Sequence, residues 1–124
     1  PFVIFVDSSD SAVGWTIGQV DDQNIFRVNY YGGHMLAKSN MAWPIHQKEI
    51  FSAVSAIRTH ETMLIGRKIT VVTDNSSLQN LKSMQNSSGR LQRWTSYLGN
   101  FDITYKSIPG HRNVAADTLS RLIV

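Results

Sequence analysis

The sequence of 124 residues contains no cysteine and no long apolar run. Without cysteine, disulfide frameworks and thiolate zinc sites are excluded, which suits a reducing compartment. No apolar stretch is long enough to span a bilayer, and no basic-then-apolar leader opens the chain, so we expect no membrane contact. The length predicts one domain and leaves no room for two. Because the chain starts at Pro1 rather than Met, we expect an excised piece of a longer protein.

Charge is scarce and unevenly distributed. Charged residues make up 17% of the chain against 42% hydrophobic residues, as in a globular domain slightly poor in charge. Residues 1–50 carry a net charge of −2 and residues 51–124 carry +5, for a total of +3. A basic half beside a cluster of carboxylates suits a nuclease, since cations contact phosphates and oxygens bind metal. The charge distribution taken alone favours the simpler interpretation, an ordinary basic surface.

Two apolar runs each end on an aspartate, over residues 3–7 and 69–74. Continuous β-branched and aromatic runs are typical of strands buried on both faces, as in parallel sheets. If these strands are neighbours, Asp7 and Asp74 lie side by side at the edge where open α/β sheets bind ligands. Two carboxylates about 4 Å apart repel by roughly 4 kcal/mol at an effective dielectric near 20. A shared proton or a divalent cation would offset that repulsion, so the pattern indicates a metal-dependent enzyme.

The order of the predicted elements indicates an α/β fold. The predicted strands are Phe2–Asp7, Val13–Gln19, Ile25–Tyr31, Lys68–Asp74 and Phe101–Ser107, and the predicted helices follow Pro44 and cover Ser76–Lys82, Arg90–Leu98 and Asn113–Leu122. The first three strands suit an antiparallel meander, and helices separate the later ones. We therefore expect a five-stranded mixed sheet, an antiparallel meander plus parallel strands, flanked by helices.

The ordered motifs resemble those of one family, the ribonuclease H domains of gypsy-type LTR retrotransposon reverse transcriptases. The segments that carry the resemblance are Phe5–Ser9 with Ala12–Gly14, Lys48-Glu49, Gly66–Lys68 leading into Thr73–Asn75, Arg90–Trp94, and Pro109–Arg121. The resemblance implies a ribonuclease H-like fold and a single domain over residues 1–124, excised from a polyprotein. It also implies a metal-dependent endonuclease that hydrolyses the RNA strand of RNA/DNA hybrids.

The resemblance assigns the family's four catalytic acids to Asp7, Glu49, Asp74 and Asp117, and all four positions hold an acid. It implies two Mg²⁺ ions, with Mn²⁺ able to substitute, and all-oxygen ligands suit these cations better than zinc. Asp7 would bridge both ions, while Glu49 and Asp74 would bind one and Asp117 the other. Each acid alone has a plainer explanation. Asp7 and Asp74 suit strand-end turns, Glu49 suits the positive end of a helix dipole, and Asp117 suits a solvated helix face.

Several polar and cationic side chains are candidates for binding the hybrid, which must be read at the 2′-hydroxyl of one strand and the backbone of the other. They are Gln47, Asn75, Arg90, Arg93, Lys106, His111 and Arg112. Solvated helix faces explain the arginines equally well. Because an imidazole in general titrates near neutral pH, a phosphate contact or proton transfer is open to His111, although an ordinary loop histidine is the simpler interpretation.

The resemblance further implies a polymerase domain in the same polyprotein, a dimer within the complete reverse transcriptase, and a cytoplasmic location inside a virus-like particle. Two alternatives stay open. One is a catalytically silent domain of the same fold that binds nucleic acid or serves a structural role, and the four retained acids argue against it. The other is an integrase or transposase nuclease, and the tail segment Pro109–Arg121 argues against that.

Overall fold

The computed structural model describes residues 1–73 and 89–108. Their elements, in chain order, are β1 (Phe2–Ser8), β2 (Ala12–Val20), β3 (Phe26–Met35), a 3₁₀ turn (Lys38–Asn40), α1 (Ile45–Thr59), α2 (Glu61–Leu64), β4 (Lys68–Thr73), α3 (Gly89–Leu98) and β5 (Asp102–Ser107). The predicted helices Ser76–Lys82 and Asn113–Leu122 lie outside the described residues. No helix within the described ranges is long and apolar enough to cross a membrane.

The five strands form one mixed sheet in the order β3-β2-β1-β4-β5. The first three strands pair antiparallel as a meander, whereas β1–β4 and β4–β5 pair in parallel. The parallel register runs from Phe2 opposite Ile69 to Phe5 opposite Val72. The predicted α/β fold with its mixed sheet is therefore confirmed. The two apolar runs that end on aspartates belong to adjacent strands, as the predicted site at this edge of the sheet required.

The sheet is buried on both faces near its centre. Ile4 and Val6 of β1 belong to the larger apolar core with α1 and α3. Val3 and Phe5 form a second, smaller cluster with Val72 on the opposite face. Side chains alternate along a strand, so a strand buried on both faces needs apolar residues at consecutive positions. This requirement explains the unbroken apolar run in β1.

Strand β3 extends four residues beyond its predicted end at Tyr31. The additional residues include Gly32 and Gly33, and glycine is unfavourable in the interior of a strand. In the fold, Gly32 lies opposite Trp15 in the β2–β3 register. A Cβ atom at residue 32 would lie 2.3 Å from the indole of Trp15. The absent side chain therefore makes room for a neighbouring indole within a continuous strand.

Helix α1 packs across β1 and β2 through its apolar stripe. Ile50, Ala53, Val54 and Ile57 are all buried, as the sequence pattern predicts. Pro44 is the N-cap residue, with no side-chain hydrogen bond capping the helix within the described part of the chain. The first turn of α1 therefore depends on tertiary contacts for its position.

An indole–imidazole hydrogen bond joins the sheet to the end of α1. Trp15 Nε1 donates to His60 Nε2 at 3.3 Å. The rings of Tyr30 and His60 lie 5.1 Å apart between centroids. Burial lowers the pKa of His60 from its ordinary value. The accepting nitrogen must be unprotonated, so the hydrogen bond and the lowered pKa both favour the neutral ring.

We expect this contact to make the stability of the fold depend on pH. Because the pKa of His60 is lower in the folded chain, its contribution is fully present above about pH 6.5, the pKa of an unperturbed histidine. It is lost as pH falls below that value, when protonation removes the acceptor for Trp15. Urea unfolding between neutral and mildly acidic pH measures this loss. His60→Asn keeps an acceptor that does not titrate, so this variant should lose less stability on acidification. Equal pH dependence in both proteins would contradict the assignment.

Candidate active site

The buried carboxylate of Glu49 joins the ends of two parallel strands. Glu49 lies in α1 and is only 3% exposed. Ser8 Oγ at the end of β1 donates to Glu49 Oε1 at 3.0 Å. Thr73 Oγ1 at the end of β4 donates to Glu49 Oε2, also at 3.0 Å. Helix α1 thus brings Glu49 to the carboxyl ends of β1 and β4, the edge at which the sequence predicted a site.

Asp7 lies in the strand directly before Ser8 and pairs with Gly14 of β2. Because side chains alternate along a strand, Asp7 belongs to the face of Phe5, while Ser8 faces α1 and bonds to Glu49. The two acids therefore approach the carboxyl end of β1 from opposite faces of the sheet. Both acids offer hard oxygen ligands, and the hydroxyl of Ser8 lies next to Asp7 in sequence and bonds to Glu49 in the fold.

Two further buried polar residues attach α1 to this edge. The hydroxyl of Ser52 lies 2.7 Å from the carbonyl oxygen of Gly14 and 3.3 Å from that of Asp7. Lys48 is 4% exposed, and its Nζ donates to the carbonyl oxygen of Asp10 at 3.0 Å. These bonds connect one face of α1 to β1, to β2 and to the turn between them. The backbone that carries Asp7 is therefore held in place by the helix that carries Glu49.

The sequence interpretation missed the four supporting polar residues, Ser8, Lys48, Ser52 and Thr73, as parts of the site. A signal was present for Ser8 and Thr73, because Ser8 follows Asp7 and Thr73 precedes Asp74. A hydroxyl residue beside each strand-end acid points to the opposite face of its strand, toward the helix layer. Ser52 lies next to the apolar stripe of α1, three residues after Glu49, which is close to one helical turn.

The other predicted site residues divide into two groups. Gln47 and Arg90 contact each other between α1 and α3, Arg93 is exposed on α3, and Lys106 lies on β5 opposite Val72. The rest lie outside the described residues, and they are Asp74, Asn75, His111, Arg112 and Asp117. Within residues 1–73 and 89–108 no group of three or more His, Cys, Asp or Glu residues is arranged to bind a metal ion.

We expect Thr73→Val to destabilise the fold, because it removes a hydroxyl donor from a buried carboxylate while keeping the side-chain shape. The free energy of unfolding should fall by about 1.5–3 kcal/mol, the range for a hydrogen bond to a charged group. Thr70→Val in the same strand is the matched control and should change stability by less than about 0.5 kcal/mol. Urea unfolding at neutral pH measures both. Equal losses in the two variants would show that the hydroxyl does not support Glu49.

Relatives among curated proteins are polyproteins of transposable elements. The chain is 28% identical over 121 residues to the retrovirus-related Pol polyprotein from transposon 297 of Drosophila melanogaster. It is 30% identical over 124 residues to the transposon Tf2-3 polyprotein of Schizosaccharomyces pombe. These alignments cover 98% and 94% of the chain but only 11% and 9% of the respective polyproteins. The chain thus spans about a tenth of the relatives it matches.

Solved structures with the same fold include viral and cellular proteins. A foamy viral protease-reverse transcriptase in complex with RNA/DNA hybrid matches with a TM-score of 0.69 and 20% identity, covering 93% of this chain and 16% of that one. Ribonuclease H1 from the archaeon Halobacterium salinarum matches with a TM-score of 0.65 and 18% identity, covering 95% and 92%. At these identities the structural matches establish the fold alone.

A family model supplies the more specific finding. The model of the RNase H-like domain found in reverse transcriptase matches residues 1–101. That segment includes strands β1 to β4 and both acids of the described edge, Asp7 and Glu49, and it ends just before β5. Together with the transposon polyproteins, the match confirms the resemblance seen in the sequence. The chain belongs to the RNase H-like domains of reverse transcriptases, and specifically to those of retrotransposons.

Proposed function

We propose that this domain is a metal-dependent endonuclease that hydrolyses the RNA strand of RNA/DNA hybrids during reverse transcription. One observation carries the proposal: the buried carboxylate of Glu49 is held by Ser8 and Thr73 across the carboxyl ends of β1 and β4. A buried carboxylate destabilises a fold unless hydrogen bonds compensate for its lost hydration. An acid buried at the strand end where Asp7 also lies is typical of a preorganised metal ligand.

The donor chemistry of this edge fits hard divalent cations. Asp7 and Glu49 supply carboxylate oxygens, and no cysteine exists in the chain to favour softer metals. We propose that two Mg²⁺ ions are held by Asp7, Glu49, Asp74 and Asp117, and that Mn²⁺ substitutes for them. Asp74 directly follows Thr73, whose hydroxyl holds Glu49. Asp117 is assigned by the family resemblance.

The residues of the chain would prepare the site for an in-line displacement at phosphorus. When bound, the cations would supply electrostatic stabilisation of the charge that develops at the attacked phosphate. Ser8 and Thr73 orient the carboxylate of Glu49, since each donates to a different oxygen. Ser52 donates to the carbonyl oxygen of Asp7 and Lys48 to that of Asp10, so the backbone over this segment is fixed relative to α1. Such prior orientation lowers the reorganisation needed during the reaction.

The proposed substrate and partners follow from the relatives. The foamy viral protease-reverse transcriptase and LC11 ribonuclease H1 were each solved in complex with RNA/DNA hybrid. Exposed Arg93 is suited to contact phosphates of such a hybrid. We also propose that the domain acts beside a polymerase domain of one polyprotein, in a cytoplasmic virus-like particle. A dimer within the complete reverse transcriptase stays a prediction.

We expect the domain to cut the RNA of a labelled RNA/DNA hybrid in Mg²⁺ and to leave duplex RNA and duplex DNA intact. Asp7→Asn, Glu49→Gln and Asp74→Asn should each lower the rate by about 100-fold or more, since even outer-shell changes at metal sites reduce activity about 10–100-fold. Asp10→Asn, which changes an exposed acid in the β1–β2 turn, is the matched control and should cut at the rate of the unmodified domain. Gel analysis of the products measures all of these rates.

Other outcomes of this assay identify the alternatives. Tight hybrid binding without cutting would make the domain a silent nucleic-acid-binding module. Strand transfer on duplex DNA would point to an integrase or transposase activity instead. Cutting that survives Glu49→Gln unchanged would contradict the role of the Glu49 carboxylate on which the proposal depends.

Metal binding can be tested without turnover. We expect isothermal titration with Mn²⁺ alone to give measurable binding to the unmodified domain and binding at least about tenfold weaker to Glu49→Gln. Asp10→Asn should retain the affinity of the unmodified domain. Equal affinities in all three proteins would contradict the assignment of Glu49 as a ligand.

A further inference from the structure

Arg90 of α3 is held by residues at the start of α1. Its guanidinium carbon lies 4.4 Å from the ring centroid of Trp43 and 5.7 Å from that of Trp94. Its Nη2 donates a hydrogen bond to Gln47 Oε1. Its Nε is buried and has no hydrogen-bond partner among the described residues. An arginine that only solvated a helix face would keep these donors in water.

These contacts fall on the part of α1 that lacks a cap. Trp43 directly precedes the N-cap residue Pro44, and Gln47 lies in the first helical turn. Within the described residues no side chain caps this terminus by a hydrogen bond, so its first turn would otherwise fray. Arg90 contacts both Trp43, which precedes the N-cap residue, and Gln47, which follows it. It therefore acts as a clamp supplied by another helix.

The clamp brackets Glu49 in the sequence. Gln47 lies two residues before Glu49, and Phe51 lies two residues after it. The ring of Phe51 is 5.4 Å from that of Trp43 and 5.5 Å from that of Trp94, the two indoles that contact Arg90. Contacts on both sides of Glu49 therefore converge on one cluster, which consists of the guanidinium of Arg90 and the two indoles. Movement of Arg90 would shift the helical segment from which the Glu49 carboxylate extends.

We infer that Arg90 is a positioning residue that fixes Glu49 for metal binding, acting through Gln47, Trp43 and Trp94. This inference rests on the proposed function and assigns a role to the Arg90–Trp94 motif. It differs from the role suggested by sequence, in which Arg90 contacts a phosphate. One guanidinium nitrogen is already bonded and an indole ring lies 4.4 Å from the guanidinium carbon. Arg93 lies three positions further along α3, is exposed, and is better suited to contact a phosphate.

The test compares two arginines of the same helix. We expect Arg90→Met to raise the Mg²⁺ concentration for half-maximal hybrid cleavage about tenfold, the lower end of the effect of outer-shell changes at metal sites. Its kcat at saturating Mg²⁺ should recover most of the original value. Arg93→Met should instead raise KM for the hybrid and leave the Mg²⁺ dependence unchanged. Arg67→Met, at an exposed position before β4, controls for the loss of one positive charge.

A conservative replacement separates charge from geometry. Arg90→Lys keeps the charge but lacks the planar group that lies against the indoles and donates to Gln47. It should therefore resemble Arg90→Met in its Mg²⁺ dependence. Gln47→Leu removes one contact of the clamp and should shift the Mg²⁺ dependence in the same direction by a smaller factor. This milder variant keeps the inference testable if Arg90→Met does not fold.

Three results would overturn the inference. A raised KM for hybrid with unchanged Mg²⁺ dependence in Arg90→Met would make Arg90 a phosphate contact. A loss of stability with unchanged Mg²⁺ dependence, measured where circular dichroism shows the variant to be folded, would make it a structural residue only. Full rescue by Arg90→Lys would show that charge alone matters. If the unmodified domain does not cut hybrid, the proposed function fails, and Mn²⁺ titration of the Arg90 variants tests the positioning role separately.

Discussion

The organisation of this domain depends on keeping one carboxylate away from water at the junction of two parallel strands. Glu49 can be buried there because β1 and β4 each end with a hydroxyl residue that points toward α1. Hydrogen bonds inside a low-dielectric region strengthen one another, and an unsatisfied member would be correspondingly unfavourable. The parallel pairing of β1 with β4 is therefore required by the chemistry of this edge as well as by the apolar core.

Much of the fold could be predicted from the sequence because its signals are local. Strand β1 begins with an unbroken apolar run, β4 is rich in β-branched residues, and α1 shows a clear apolar stripe. The end of β3 was predicted four residues early. Glycine is a weak strand former, and the presence of Gly32 and Gly33 in the strand is explained by cross-strand neighbours, the indole of Trp15 for Gly32 and the backbone of β2 for Gly33. Local patterns carry no information on such cross-strand fits.

The candidate site was less accessible to prediction than the fold. Asp7 was suggested by its place at a strand end, but Glu49 had a plain explanation as a residue near a helix start. Only the family resemblance selected it. Its hydroxyl partners and the contact between Gln47 and Arg90 join residues that lie 24 to 43 positions apart. Periodicity cannot reveal pairs separated by such distances along one sequence, whereas the folded chain brings them within hydrogen-bonding reach.

The close fit of Gly32 against Trp15 has a consequence for how this sequence can diverge. Any side chain at residue 32 would overlap the indole, whereas a smaller residue at position 15 would leave a void in the core and remove the donor to His60. Neither position can therefore change alone without harm. In copies of the domain that accumulate mutations, residues 15 and 32 should therefore change together. A larger residue at position 32 of β3 should occur only with a smaller residue at position 15 of β2.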